Sequence, residues 1–431
     1  MAKHPTKKSP RQELVVVNAP TVQIPLPLLS ALEDAESAFF GLCVETGKQV
    51  LAAMMEQDRI ALCGPAGRHD ADRQAVRAGS TESAIVLGGR RIDMRRPRVR
   101  SVEHREVRLP SFEAAASEDP LARHTLEAIA SGVTMRRYAR SLEPLPVEEA
   151  ERSTSRSAVS RRFVALTQKR LAETFSRPID ELDLRVVMVD GIAFRDHCVL
   201  LALGVATDGK KHVLGLWEGS TEHSAVAKAL LRDRIERGLP TDRALLFVID
   251  GSKALRKAIR DVFGGLALVH RCQIHKERNV LEHLPQALRP SVRRALKQAW
   301  ESSSAELARR QLERLAASLD AEHPGAAASL REGLEETLTL LGLGVEGEGA
   351  LYRTLRSTNP IENLNGSVAD YTKNVKRWRG GKMILRWVGA AVVDASKGFR
   401  KIRGHRDVSQ LVLALQRHEQ KQGVRTEEEA A

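Results

Sequence analysis

Two aspartates stand at comparable places in the chain. Asp190 follows the apolar run Leu184–Val189, Asp250 follows Arg243–Ile249, and each is followed at once by a glycine, Gly191 and Gly251. One Asp-Gly pair alone is an ordinary strand-ending turn. Two of them, ending two buried strands, put carboxylates on rigid backbone at the carboxyl edge of a sheet, where α/β proteins carry their sites. Carboxylates held close together repel unless a cation lies between them. Hard oxygen ligands of this kind suit Mg²⁺ or Mn²⁺. Two such ions, roughly 4 Å apart, align an attacking oxygen and stabilise a leaving oxygen in phosphoryl transfer. Two carboxylates rarely complete two metal shells, so a third acid is expected. Glu362 is the candidate: in Ser357-Thr358-Asn359-Pro360-Ile361-Glu362-Asn363-Leu364-Asn365, Asn359-Pro360 opens a helix and Glu362 falls in its first turn.

The elements that must position these acids are legible around them. Leu184–Val189, Cys198–Thr207 and His212–Trp217 read as strands, with a hairpin turn at Asp208-Gly209. Glu222–Arg237 reads as an amphipathic helix, Arg243–Ile249 as a buried strand, Lys253–Phe263 as helix, Leu266–His270 as strand and Cys272–His283 as helix. The expected order is β-β-β-α-β-α-β-α. Helices are expected at Val292–Trp300, Ala305–Leu319 and Ala326–Leu343, a helical insertion ahead of the helix that carries Glu362.

Upstream, residues 1–30 read as a Pro-punctuated arm, Leu28 to about Gln57 as helix and 58–82 as a polar, Gly-containing stretch. Ala84–Leu87 and Arg91–Met94 read as strands joined at Gly88-Gly89, in a ribbon where Arg90–Arg108 holds eight Arg against three acids. Residues 120–140 and 155–175 read as short helices with a turn, a helix-turn-helix pattern. The last helix begins with Arg156, Ser157, Ser160, Arg161 and Arg162, groups suited to phosphate and base edges.

Other residues also carry groups capable of chemistry. Cys272-x-x-His275 has metal-like spacing, yet no second pair completes the four ligands zinc prefers. Its plainer reading is a polar pair at a helix start, positioning a carboxylate or a DNA phosphate, with Lys276 and Arg278 on the same helix also able to meet phosphate. Trp300 is a candidate for stacking on an unpaired base, although a tryptophan in a helical segment is more often core. Tyr371–Arg406 holds eleven Lys or Arg, Lys373, Lys376, Arg377 and Arg379 at its head, against the single acid Asp394. Such density suits a phosphate track. No Walker pattern or G-x-S-x-G elbow is present, so neither a nucleotide cofactor nor serine-hydrolase chemistry is expected.

Composition agrees. The 431 residues carry a formal net charge of +13, with Arg far outnumbering Lys, as phosphate recognition favours. The four cysteines form no C-x-x-C pair, which fits a reducing cytosol. Neither a membrane span nor an export signal is expected, because the apolar runs are too short.

With these residues in place the chain resembles the bacterial mutator-type insertion-sequence transposases. The resemblance rests on Asp190-Gly191, Asp250-Gly251, Cys272-Gln273-Ile274-His275 and Asn359-Pro360-Ile361-Glu362-Asn363, and extends through Arg136-Arg137-Tyr138 and Ser157-Ala158-Val159-Ser160-Arg161. It covers about residues 30–410. It implies an α/β, ribonuclease H-like catalytic domain with an all-helical insertion and a mainly helical N-terminal DNA-binding region. It implies Asp190, Asp250 and Glu362 as metal-binding catalytic residues holding two Mg²⁺ (or Mn²⁺) ions, supported by Cys272 and His275. It also implies that the N-terminal part binds the element's terminal inverted repeats, with Arg136 and Arg137 joining the helix-turn-helix residues.

The expected layout is an arm (1–30), a helix and basic ribbon (31–115), a helix-turn-helix (116–178), a catalytic domain (179–284 and 351–406) interrupted by the insertion (285–350), and a C-terminal helix with an acidic tail (407–431), Glu427–Glu429 being disordered. The expected activity is Mg²⁺-dependent nicking and strand transfer on double-stranded DNA, by a homodimer or larger assembly in the bacterial cytoplasm. The alternatives are a regulator or inactive copy that occupies the repeats without cutting, and a structure-selective nuclease on the same fold. The paired Asp-Gly motifs and Glu362 favour a cutting enzyme, and the insertion and N-terminal region favour transposition.

Overall fold

The computed structural model describes residues 35–67, 73, 75–87, 90–101, 103–117, 128–129, 133, 156–219 and 224–430. The chain divides into two compact units, residues 1–129 with 133–163, and residues 130–132 with 164–431.

The first unit contains helix α1 (Ala35–Cys63), strands β1 (Ala75–Leu87), β2 (Arg90–Ser101) and β3 (Glu106–Val107), and helix α2 (Pro110–Ser117). The strands form an antiparallel sheet in that order. Met55 and Cys63 of α1 pack with Ile85, Ile92, Met94 and Val99 of the sheet. Of residues 58–82, expected as a polar stretch, 58–63 finish α1 and 75–82 begin β1. Residues 76–84 of the ribbon are half-buried or exposed, so polar residues are tolerated there, and Gly79 at φ 77° lies in a register shift between Arg77 and Ser80. Part of the ribbon's positive charge is neutralised within it. Arg98 and Arg96 both pair with Glu106, and the Arg96 guanidinium lies 4.7 Å from the Phe112 ring centre. Gly88-Gly89 lies outside the described residues.

Helix α3 (Arg156–Phe175) is the last helix of the expected helix-turn-helix. Val159 and Phe163 are buried, Arg156, Ser157 and Arg161 are exposed, and Ser160 is half-buried. Arg162 lies on the same helix. Arg136 and Arg137, with most of the two preceding helices, fall outside the described residues.

The second unit is built on a mixed five-stranded sheet in the order β6-β5-β4-β7-β8. Its strands are β4 (Leu184–Phe194), β5 (His197–Ala206), β6 (Lys211–Gly219), β7 (Leu245–Ile249) and β8 (Ala267–Arg271). The first three are antiparallel neighbours, while β7 runs parallel to β4 and β8 parallel to β7. Between them come helices α4 (Ser224–Glu236) and α5 (Lys253–Phe263), and after them α6 (Gln273–Glu282). The expected β-β-β-α-β-α-β-α order is the observed one. Leu230 and Leu231 of α4 and Ile259 and Phe263 of α5 bury against Val187, Val189 and Phe247. Each such side chain contributes roughly 1.5–3 kcal/mol on full burial.

The helical segment that follows comprises α7 (Arg289–Trp300), α8 (Ala305–Leu319), α9 (Pro324–Arg331), the single turns α10 (Leu334–Thr337) and α11 (Thr339–Gly342), and α12 (Ala350–Leu355). The continuous helix expected over Ala326–Leu343 is broken, because Gly333 adopts a left-handed φ of 64° that continues no helix. A buried polar network fastens this segment to α6. Gln273 donates to Tyr352 Oη at 2.7 Å and to the Thr337 carbonyl at 3.0 Å, and Tyr352 in turn donates to the Trp300 carbonyl at 2.6 Å.

Three helices complete the unit: α13 (Asn359–Thr372), α14 (Gly381–Ser396) and α15 (Val408–Ala430). Helix α13 packs on β4 and β5. Glu419 of α15 accepts hydrogen bonds from Arg185 (3.1 Å) and from the Ala244 backbone (2.7 Å), which holds the helix to the starts of β4 and β7. Glu427–Glu429, expected as a disordered tail, lie in the last turns of α15. Among the described residues no helix is long and apolar enough to cross a membrane.

Candidate active site

The register of the sheet brings the two aspartates together. Parallel pairing of β4 with β7 ends at Met188 opposite Val248. Asp190 and Asp250 each stand two residues beyond that pair, and both line one small cavity beside Ser252 and Leu255. The expectation that both end strands is corrected for Asp190. Its strand continues to Phe194, since β5 goes on pairing with it (Asp190 opposite Leu201, Phe194 opposite His197) after β7 has departed. Gly191 is therefore a strand residue, and its N–H donates to Asp190 Oδ1 at 3.0 Å. Gly251 does turn the chain: its φ is 110°, and a Cβ there would lie 2.4 Å from Arg271 Nε. Asp250 Oδ1 accepts the Ser252 N–H at 2.9 Å.

Glu362 lies in the first turn of α13, with Pro360 among the opening residues. Thr358, the residue before the helix, is fully buried and donates its hydroxyl to Glu362 Oε1 at 2.5 Å. The same hydroxyl oxygen is 3.4 Å from His275 Nδ1, and the Thr358 N–H points to Cys272 Sγ at 3.5 Å. His275 Nδ1 is 3.8 Å from Glu362 Oε1. One turn beyond Glu362, Asn365 donates to Asp190 Oδ2 at 2.7 Å. Thus Cys272 and His275 lie beside the acid of α13, and Asn365 links that helix to β4. The structural roles of Thr358 and Asn365 have no separate sequence signal beyond helical spacing from Glu362.

The electrostatics report crowding. Burial, and then the negative charges of Asp250 and Glu362, push the Asp190 carboxyl up to about 6. His275 is raised, first by its hydrogen bond with Cys272 and also by Glu362 and Asp250. For Cys272 burial is the largest influence and raises the thiol, but its hydrogen bonds with His275 and Thr358 outweigh it and the net shift is downward.

Two donor sets meet here. The acids and the Asn365 amide offer hard oxygens, and Asn365 Oδ1 is buried without a hydrogen-bond partner. That set fits Mg²⁺ or Mn²⁺. Cys272, His275 and Glu362 form a softer set, their ligand atoms within 4.8 Å of one another. It is one donor short of a closed zinc shell.

Other expected contacts are corrected. Trp300 is 2% exposed, and its indole N–H donates to Thr337 Oγ1 at 3.1 Å. The ring is core, with no face open to a base. Lys276 is wholly buried, its ammonium bound to the Ser329 and Glu332 carbonyls, so it does not meet phosphate. Lys373, Lys376, Arg377 and Arg379 are exposed between α13 and α14. That segment is anchored by Trp378, whose ring packs edge-on against Phe194 at 5.0 Å.

A model of the transposase Mutator family matches residues 29–401. The chain belongs to the Mutator family of transposases. Several relatives are insertion-sequence transposases. One from Mycolicibacterium smegmatis (insertion sequence IS6120) is 30% identical over 226 residues, 50% of this chain and 68% of its own length. That of IS256 in transposon Tn4001 from Staphylococcus aureus is 26% identical, covering 75% of this chain and 82% of the relative. That of ISRM5 from Rhizobium meliloti is 25% identical, covering 82% and 86%. The family match takes in Asp190, Asp250, the Cys272/His275 pair and Glu362 alike.

Proposed function

We propose that this Mutator-family protein nicks DNA at the terminal inverted repeats of its element and transfers the freed strand to target DNA. In this reading Asp190, Asp250 and Glu362 are the catalytic carboxylates of a ribonuclease H-like sheet. The sheet order, with three antiparallel strands followed by two parallel ones, supports that fold. One observation carries the site: Asp190 shares a small cavity with Asp250 and is tied by Asn365 to the helix of Glu362, in a protein of net charge +13.

The three carboxylates would hold two Mg²⁺ or Mn²⁺ ions, which supply charge stabilisation to the attacking and leaving oxygens of phosphoryl transfer. The chain's own groups set the donors in place. Asn365 and the Gly191 N–H fix both oxygens of Asp190, the Ser252 N–H fixes Asp250, and Thr358 fixes Glu362. Cys272 and His275 hold Thr358 in turn. The attacking oxygen belongs to water in nicking and to the freed 3′-hydroxyl in transfer, so no covalent protein–DNA bond is required. The basic ribbon, α3 and the Lys373–Arg379 segment are the proposed DNA contacts, and pairing two element ends calls for at least a homodimer, acting in the bacterial cytoplasm.

The test is to incubate the protein with labelled terminal DNA and Mg²⁺ and to map the nicks. Cuts at the element boundary that leave a 3′-hydroxyl support the reading. Tight binding of the repeats without any cut, at every divalent ion tried, would make the protein a repeat-binding regulator instead.

A further inference from the structure

A second feature of the larger unit is a groove of about 510 Å³ along the opening turn of α13, within the size range of ligand clefts. Its charged lining is Lys211, Arg353, Lys401 and Arg403, with no carboxylate among its walls. None of these four cations forms an ion pair among the described residues. Asn359 and Asn363, one helical turn apart on α13, line the groove, and Asn363 follows Glu362 in the chain.

The cations sit on fixed backbone. Ile402, buried between Lys401 and Arg403, donates its N–H to the Gly209 carbonyl at 2.9 Å, and Thr354 donates to the Arg403 carbonyl at 3.0 Å. Gly404, at φ 78°, lets the segment pass so close to α12 that a Cβ would lie 2.2 Å from the Leu351 nitrogen. Lys211 stands at the start of β6 with its ammonium 4.7 Å from the Phe399 ring centre, and burial lowers its pKa. Four cations on a rigid frame, Lys211 half-buried and the other three exposed, with no carboxylate in the groove wall, attract an anion, and guanidinium forks match phosphate oxygens.

We propose that this groove binds the sugar-phosphate backbone of the DNA strand entering the carboxylate centre, with Arg353 and Arg403 contacting successive phosphates and Asn359 and Asn363 donating to their oxygens. The assignment rests on the transposase reading and adds to it a binding track separate from the Lys373–Arg379 segment.

The experiment measures binding of a fluorescein-labelled random-sequence DNA duplex to the full chain across a salt series. Each phosphate contact contributes about 0.9 to the slope of log K against log salt. The double variant Arg353→Gln/Arg403→Gln should lose about 2 from that slope, and Arg353→Lys/Arg403→Lys should restore most of it. An unchanged slope in a double Gln variant that melts like the parent overturns the proposal. If that variant fails to fold, the unmodified protein serves: bound duplex should protect Lys401 from an amine-reactive acetylating reagent, and equal labelling with and without DNA overturns the proposal. A preference for an RNA duplex of the same sequence would also overturn it. Parent protein that nicks DNA while the double Gln variant keeps its slope removes the groove alone. Parent protein that binds DNA with the expected slope change but never nicks it removes the catalytic reading alone.

Discussion

Asn365 donates its side-chain amide to Asp190 Oδ2 at 2.7 Å, joining residues 175 positions apart. The bond fixes α13 against β4, so the acid of the helix and the acid of the strand are set by one contact. Asn365→Ala should lower the rate of metal-dependent nicking by about 10–100-fold, the usual cost of losing a group that orients a metal ligand. DNA affinity should stay near the parent value. Single-turnover nicking beside an anisotropy titration checks both.

Thr358 offers a sharper separation. Its hydroxyl touches Glu362 and lies near His275, while its N–H meets Cys272. Thr358→Val removes the hydroxyl and keeps the shape, so nicking should fall while the melting temperature moves little. Thr358→Ser should recover most of the activity. Equal activity in the Val variant would mean that Glu362 is oriented without this contact.

The raised Asp190 gives a pH dependence of definite sign. Its folded value of about 6 exceeds the ordinary 3.8, so the folded protein prefers the protonated acid. That contribution to stability is full below about 3.8 and is lost as pH rises through about 6. Near neutral pH the metal-free protein therefore carries the cost of an ionised, crowded carboxylate. Asp190→Asn should stabilise it there by on the order of 1–3 kcal/mol, with little effect near pH 4. Mg²⁺ must displace the same proton, so its affinity should fall about tenfold per unit below pH 6. Thermal melts across pH, with and without Mg²⁺, read both effects.

The helical segment is fastened through Tyr352, whose hydroxyl donates to the Trp300 carbonyl and accepts from Gln273. Tyr352→Phe takes the hydroxyl from the buried Trp300 carbonyl and leaves Gln273 only its bond to the Thr337 carbonyl, and should cost about 1–3 kcal/mol. Denaturant melts of the full chain measure it.

Much of the catalytic unit was readable because its signals are local. Lys253–Phe263 has the expected bounds, capped at its end by Gly264, and the Asp208-Gly209 hairpin and the helix opened by Pro360 are set by turn chemistry. The features that depart from the sequence expectation depend on distant partners. Strand β4 passes Asp190 because β5 keeps pairing with it, which Leu184–Gly191 alone does not encode. Trp300 became core because Thr337 and Tyr352 surround it from residues 37 and 52 positions away. Residues 76–83 of β1 are half-buried or exposed without sustained apolar alternation, so no strand signal marks them. Thr358 and Asn365 stood inside the motif that drew notice, yet their partners lie on β4, α6 and the residue just before α6.

The central claim is that three carboxylates make one cutting centre. Asp190→Asn, Asp250→Asn and Glu362→Gln keep shape and remove charge. Their Mg²⁺-dependent nicking of labelled terminal DNA should be measured beside their affinity for the same DNA. The account predicts that each variant loses nicking to background and binds DNA at least as tightly as the parent. Nicking at the parent rate by any one of the three contradicts it.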